Sequence, residues 1–332
     1  MERDGRPGAA LAAIWIALFL TGLAAEFAAV GKARKTPDRV SALVDRVAPE
    51  MLERERRGAE RPDTRQTAAF ALLSLTMVVG LVAVGMAVYR RARGSSVLES
   101  TGGPAAVWSV PGLITLGAGF VFARGVGLFF TYSWAERAGG VGPRQLLVGG
   151  MAVNLLLVAV PVLVLSAVSG ARARAFGLRF RPFHLLQGLH VFLIATPVVY
   201  LLHLMWSRFA GDPHQQNPVD YIFYAAWRGY LPTSTLVLAL VSALVVAPLA
   251  EEFFFRVLFY GGLRRVVGVA PAMIAASFVF AVLHSFASTV PVFALGLLLC
   301  YLYERTGSFW AVAFAHFLNN AFTLALLYLL FC

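Results

Sequence analysis

Ionisable and carboxamide side chains recur at helical spacing inside an otherwise apolar stretch, residues 234–332. The segment Pro248-Leu-Ala-Glu251-Glu252-Phe-Phe-Phe-Arg256-Val-Leu-Phe259 buries two carboxylates and a guanidinium among hydrophobic neighbours. Glu252 and Arg256 are four positions apart, so on a helix they share a face and can pair. Glu251 projects about 100° away and is left facing something else. Pro248, just upstream, can kink the helix and open room nearby. In Phe280-Ala-Val-Leu-His284 the same spacing lets a ring pack against an imidazole and fix its direction. In His316-Phe-Leu-Asn319-Asn320, His316 and Asn320 share a face, while Asn319 points elsewhere. A charge at mid-membrane costs roughly 2.5–3.5 kcal/mol on insertion scales, so such residues point to function by default.

Burying these groups separately would leave each without partners, which costs more than gathering them. A carboxylate near an imidazole can take a proton from water and make it a nucleophile toward a peptide carbonyl. A desolvated glutamate suits that task. Histidine and asparagine side chains can donate to the oxyanion that forms. Ser277 lies seven residues before His284 and Ser285 points off its face, so neither is placed as a nucleophile. The set therefore reads as water-mediated amide hydrolysis, with no cofactor expected. Zinc is the competing expectation, since two histidines and a glutamate could bind it. Against it, no H-E-x-x-H pair occurs on one helix face, and Glu252 is occupied by Arg256.

These groups need elements that hold them at membrane depth, and the composition supplies them. The 332 residues are 59% hydrophobic and 14% charged, against roughly 45–50% and about 25% in soluble domains. Runs of about 18 apolar residues can cross a bilayer as helices. Such runs fall at 8–30, 67–89, 107–131, 145–168, 185–205, 234–262, 270–288, 290–304 and 309–331. The expected fold is an all-α, polytopic transmembrane bundle of about eight to nine spans. The first run lacks a convincing A-x-A cleavage site at its end and is read as a retained helix.

The net charge of +11 does not imply nucleic acid, because the basic residues are spread over loops. Loops 90–106, 169–184 and 263–269 are Arg-rich, whereas 132–144 and 206–233 are poorer, which puts the N-terminus inside. Residues 32–66, rich in both signs, oppose that assignment. They suit a solvated or surface-lying helix interrupted at Pro37, Pro49 and Pro62. Residues 1–66 thus form one span plus a charged segment, 67–233 a helical scaffold, and 234–332 the catalytic core. Within the scaffold, Arg124, Asn154 and His203 read as packing or snorkelling residues, and 206–233 as an interfacial loop. Cys300 and Cys332 give no disulfide framework. Cys300 reads as a small apolar residue in a span.

The three motifs together resemble the CPBP family of intramembrane endopeptidases, which includes the eukaryotic CAAX prenyl endopeptidase and bacterial relatives linked to bacteriocin processing and immunity. The family pattern E-E-x-x-x-R, F-x-x-x-H, H-x-x-x-N stands here as Glu251-Glu252…Arg256, Phe280…His284 and His316…Asn320. Upstream, only Phe176-Gly-Leu-Arg179 looks similar. The resemblance implies that Glu251 activates water with help from His284. It further implies that His316 and Asn320 stabilise the oxyanion, and that Glu252 and Arg256 hold the helix geometry. Phe280 would support the site. It implies a metal-free glutamate mechanism and a membrane-anchored protein or peptide as substrate, with the lipid bilayer as surroundings. The Ala/Arg/Gly-rich composition looks bacterial, which points to an inner membrane and away from prenylated substrates. A non-catalytic scaffold or immunity factor using the cluster structurally is the alternative, and a proton-relaying transporter a further one.

Overall fold

A computed structural model describes residues 6–60, 62–105, 108, 110–170, 175–210 and 217–331. Among these the chain is all helical with no strands, in eleven helices. They are α1 (Arg6–Ala33), α2 (Arg39–Glu60), α3 (Thr64–Ala92), α4 (Val110–Arg137), α5 (Pro143–Ser169), α6 (Pro182–Ala210) and α7 (Pro218–Trp227). Then come α8 (Thr233–Val267), α9 (Val269–Val282), α10 (Thr289–Thr306) and α11 (Phe309–Phe331). Eight are long and apolar enough to cross a membrane, and the chain is an integral membrane protein. Large hydrophobic side chains such as Phe27, Leu75, Leu163 and Phe209 are exposed on the outside of the bundle, as lipid-facing surfaces require.

Three expectations are corrected. The run at 270–288 is a 14-residue helix, α9, followed by a single 3₁₀ turn at Phe286–Ser288. His284 therefore lies past the end of α9, at the tip of the α9–α10 hairpin. Pro49 does not interrupt α2, which continues through it, while Pro37 and Pro62 flank the helix. Residues 206–233 are not a surface loop. The helix α6 extends to Ala210, and α7 carries Tyr221, Ile222, Phe223 and Tyr224 fully inside. Residues 211–216 lie outside the described part.

The connections sort to two ends of the bundle. At one end Arg305 Nη2 donates to the Leu98 carbonyl (3.1 Å), Gln187 Nε2 to the Glu99 carbonyl (3.0 Å) and Phe309 N to the Gly177 carbonyl (3.2 Å). Gly177 (φ +69°) and Gly307 (φ +58°) make this possible, because a Cβ on Gly177 would meet the Gly307 carbonyl at 2.6 Å. At the other end the α1–α2 turn is bonded to the α4–α5 turn through Arg39 N to Val141 O (3.0 Å) and Val141 N to Pro37 O (2.8 Å). There α2 lies across the bundle, with Val47 and Met51 buried against α7 and the end of α11. Placing α2 at that end gives both ends many basic residues. The loop asymmetry behind the expected orientation is correspondingly weakened.

The first span is fastened to α4. Gly22 and Gly125 meet with no room for a side chain, since a Cβ on Gly125 would lie 1.9 Å from the Gly22 carbonyl. Trp15 Nε1 donates to Thr115 Oγ1 at 2.8 Å, and Arg124 pairs with Glu26 at 2.9 Å. Arg124 is thus an interhelix partner. His203 sits by the Tyr200 ring, 6.5 Å between centroids.

Candidate active site

The backbone of α8 is irregular on both sides of its two carboxylates. Two π segments, Ser242–Val246 and Phe253–Tyr260, enclose the α-helical turn Ala247–Glu252. The first has a local cause. Pro248 has no N–H to give the carbonyl five residues back, and its ring crowds the preceding turn. The orphaned carbonyl of Ala243 accepts instead from Asn320 Nδ2 on α11, at 3.0 Å. In the second segment the Leu258 carbonyl accepts from Trp108 Nε1 at 2.9 Å. Wide turns of this kind occur often at functional sites.

Three consecutive phenylalanines fix the rotation of α8. Phe253 meets Phe176 (5.7 Å) and Phe309 (5.5 Å), Phe254 meets Phe120 of α4 (6.1 Å), and Phe255 meets Phe280 of α9 (5.1 Å). Phe176 also stacks on Trp108 at 5.3 Å. The Phe176-Gly-Leu-Arg179 stretch thereby buttresses α8 and the start of α11, where Trp310 Nε1 donates to the Leu178 carbonyl at 3.1 Å.

Held this way, Glu252 is fully buried and Arg256 nearly so, with Nη1 3.0 Å from Glu252 Oε1. The contact is ionic and not an aligned hydrogen bond: Arg256 Nε, Nη1 and Nη2 and Glu252 Oε2 have no hydrogen-bond partner among the described residues. The guanidinium lies over the Phe280 ring, 4.2 Å from its centroid, which offsets part of its desolvation. Cys300, buried as expected, lies beside it and accepts from Ser277 Oγ at 3.7 Å.

His316 bridges the two carboxylates. Its Nδ1 is 2.7 Å from Glu252 Oε1 and its Nε2 is 3.9 Å from Glu251 Oε2. A carboxylate only accepts, so the Nδ1 proton is assigned to the Glu252 bond. Glu251 is the more open of the pair, its side chain 27% exposed against 0% for Glu252. Beyond the end of α9, His284 Nδ1 lies 2.8 Å from the Phe280 carbonyl. This bond satisfies a carbonyl the terminating helix would leave open. It also puts the proton on Nδ1, leaving a lone pair on Nε2. The His284 ring is exposed and stands edge-on to Phe280 at 4.8 Å, with His316 on the same ring at 5.9 Å.

Phe280 is thus a common wall for Arg256, His284 and His316, and the three motifs meet in space. Asn320 joins them through Ala243 and retains a second amide hydrogen. Two features escaped the sequence reading. It gave Glu252 only to Arg256, whereas His316 holds the same oxygen. It also gave Asn320 no backbone partner: in a regular helix Pro248 would leave open the carbonyl four residues back, at Leu244, and only the π register moves the gap to Ala243. Glu251, His284 and His316 are the available metal donors. Among the described residues no group of three such side chains is arranged to hold an ion.

Neither a curated protein nor a solved structure matches the chain. Its last third does carry a family signature: residues 233–322, spanning Glu251 through Asn320, match the family model of the Type II CAAX prenyl endopeptidase, Rce1-like.

Proposed function

We propose that the protein is an intramembrane endopeptidase cleaving a membrane-associated protein or peptide, with Glu251 as the base that activates water. The family match implies intramembrane protease activity in general. The observation that carries the finer reading is the bridge made by His316. By taking Glu252 at 2.7 Å and facing Glu251 at 3.9 Å, it divides two adjacent carboxylates into a structural one and a free one.

The separation between Glu251 and His316 Nε2 is too long for a hydrogen bond, and both atoms can reach one water oxygen placed beside them, off the line that joins them. Glu251 takes a proton from that water as its oxygen bonds to the scissile carbonyl carbon. The carbonyl oxygen becomes an oxyanion, which the second Asn320 amide hydrogen stabilises, joined by His316 donating from Nε2 in its doubly protonated form while Nδ1 stays on Glu252. His284 assists at Nε2, the atom its bond to Phe280 leaves open. As the tetrahedral adduct collapses, the C–N bond breaks and the proton held by Glu251 passes to the leaving amine. No metal is assigned a step in this scheme, and a cytoplasmic membrane is its proposed setting.

The test compares protein termini in membranes from cells carrying wild type, a deletion, or Glu251→Gln at matched abundance. Termini present only with wild type are expected and would identify the substrate class. If Glu251→Gln matched wild type in every terminus and rescued the deletion phenotype, the cluster would be a structural device of a non-catalytic scaffold.

A further inference from the structure

Far from this site, α1 and α4 form a surface with two unlike halves. A shallow groove of about 490 Å³ runs between them, lined by Leu20, Thr21, Ala24, Ala25 and Phe129. At its upper end Lys32 Nζ lies 5.7 Å from the Phe129 ring centroid. From Leu20 to Lys32 the helix rises about 18 Å, close to the roughly 15 Å of hydrocarbon in one leaflet. The lined stretch, Leu20–Ala25, covers the deeper part of that path, and Lys32 beside Phe129 marks its interfacial end.

Above it the chain gathers basic residues from three elements. Arg34, Lys35 and Arg39 follow α1, Arg137 ends α4, and Arg144 begins α5, all of them exposed. The backbone bonds between Pro37, Arg39 and Val141 hold these segments together. Arg39 lies across the Gly139–Gly140 backbone. Lys35 and Arg137 are both within electrostatic reach of Glu136. The two acidic groups nearby are already engaged, Glu136 by Lys32 and Asp38 by the Val40 and Ser41 amides at the start of α2. Lys35 and Arg137 share Glu136 with Lys32, so this cluster of six basic side chains outnumbers the acidic groups beside it.

We infer that this is a binding site for an anionic phospholipid, with one acyl chain along the α1–α4 groove and the headgroup phosphate against Arg34, Lys35, Arg39 and Arg137. A groove alone would take any chain, and a basic patch alone would take any anion. Their junction at Lys32, at the end of two membrane-crossing helices, selects a molecule carrying both parts.

The test uses the full chain purified in neutral detergent, with retained lipid read by native mass spectrometry. Phosphatidylglycerol, phosphatidylcholine and inorganic phosphate are added separately and in competition. The expected result is phosphatidylglycerol retained at least fivefold over phosphatidylcholine, with phosphate unable to displace it. Combined Arg34→Gln, Lys35→Gln and Arg137→Gln should erase the preference. Ala24→Phe, which fills the groove, should lower retention of both lipids. Arg90→Gln with Arg91→Gln, at the opposite end, should leave the preference intact, and circular dichroism checks that each variant is folded. Equal retention of the two lipids, an unchanged preference in the triple variant, or displacement by phosphate alone would each overturn the assignment.

Discussion

Neutralising Glu252 by Glu252→Gln keeps its shape and its acceptor for His316 Nδ1 but leaves Arg256 buried without a counter-charge. The pair is 3.0 Å apart at 0% and 1% exposure. At an effective dielectric of 20, Coulomb's law gives about 5.5 kcal/mol for that separation. Breaking buried pairs by removing one partner costs about 3–5 kcal/mol. That is a large share of the roughly 5–15 kcal/mol that holds a native protein together. Glu252→Gln should therefore lose about 3–5 kcal/mol in equilibrium unfolding from mixed micelles, followed by tryptophan fluorescence. Arg256→Met should lose less than Glu252→Gln, since Glu252 keeps the His316 Nδ1 bond at 2.7 Å. The double variant Glu252→Leu with Arg256→Met should lose less than the sum of the singles. It still loses about 0.5–2 kcal/mol for the cation–π contact with Phe280 and about 1–3 kcal/mol for the His316 Nδ1–H left without Glu252. If Glu252→Gln lay within about 1 kcal/mol of wild type, or the double variant lost the sum of both singles, the pair would not be what holds α8.

Glu251→Gln should leave the unfolding midpoint almost unchanged while lowering cleavage by about 10²–10⁴-fold, the range for a lost general base. Cleavage retained within tenfold would remove Glu251 from the mechanism. Asn320→Leu orphans the Ala243 carbonyl and should cost about 1–3 kcal/mol in the same unfolding assay; no loss would mean that the π segment does not need its donor. Gly125→Leu should separate α1 from α4, seen as loss of disulfide formation between cysteines placed at Trp15 and Thr115. Bonds from Ser41 and Val40 hold the Asp38 carboxyl below its usual range. Its contribution to the start of α2 is therefore full above the unfolded value of about 3.9 and is lost as pH falls through the lower folded value. Hydrogen-exchange opening of the Val40 and Ser41 amides should be pH-independent from pH 5 to 8, after correction for intrinsic rates, and a titration inside that window would contradict the assignment.

Spacing made much of this legible. The i, i+4 pairs Glu252–Arg256 and Phe280–His284 make the contacts their sequence separation implies, and the apolar runs locate the spans. What spacing could not show is where helical periodicity breaks. The π segments of α8 change which side chains align beyond Glu252. Their stabilising donors, Asn320 and Trp108, come from residues 77 and 150 positions away. The second partner of Glu252 was hidden for the same reason, since His316 reaches it across two helices. The helix α7 was missed because its aromatics read equally well as an interfacial belt. Only packing against Val47, Met51 and Leu327 distinguishes the two.

The shortness of α9 bears on the lipid around it. Fourteen residues span about 21 Å, some 9 Å less than a typical hydrocarbon core of about 30 Å. Mismatch on that scale is relieved by local thinning of the bilayer, at fractions of a kcal/mol per ångström. The hairpin tip draws the polar boundary inward, and His284 is the residue placed there to meet it. Hydration of the site then depends on the host membrane as well as on the protein. A thin bilayer brings water to His284, and a thick one closes hydrocarbon over it.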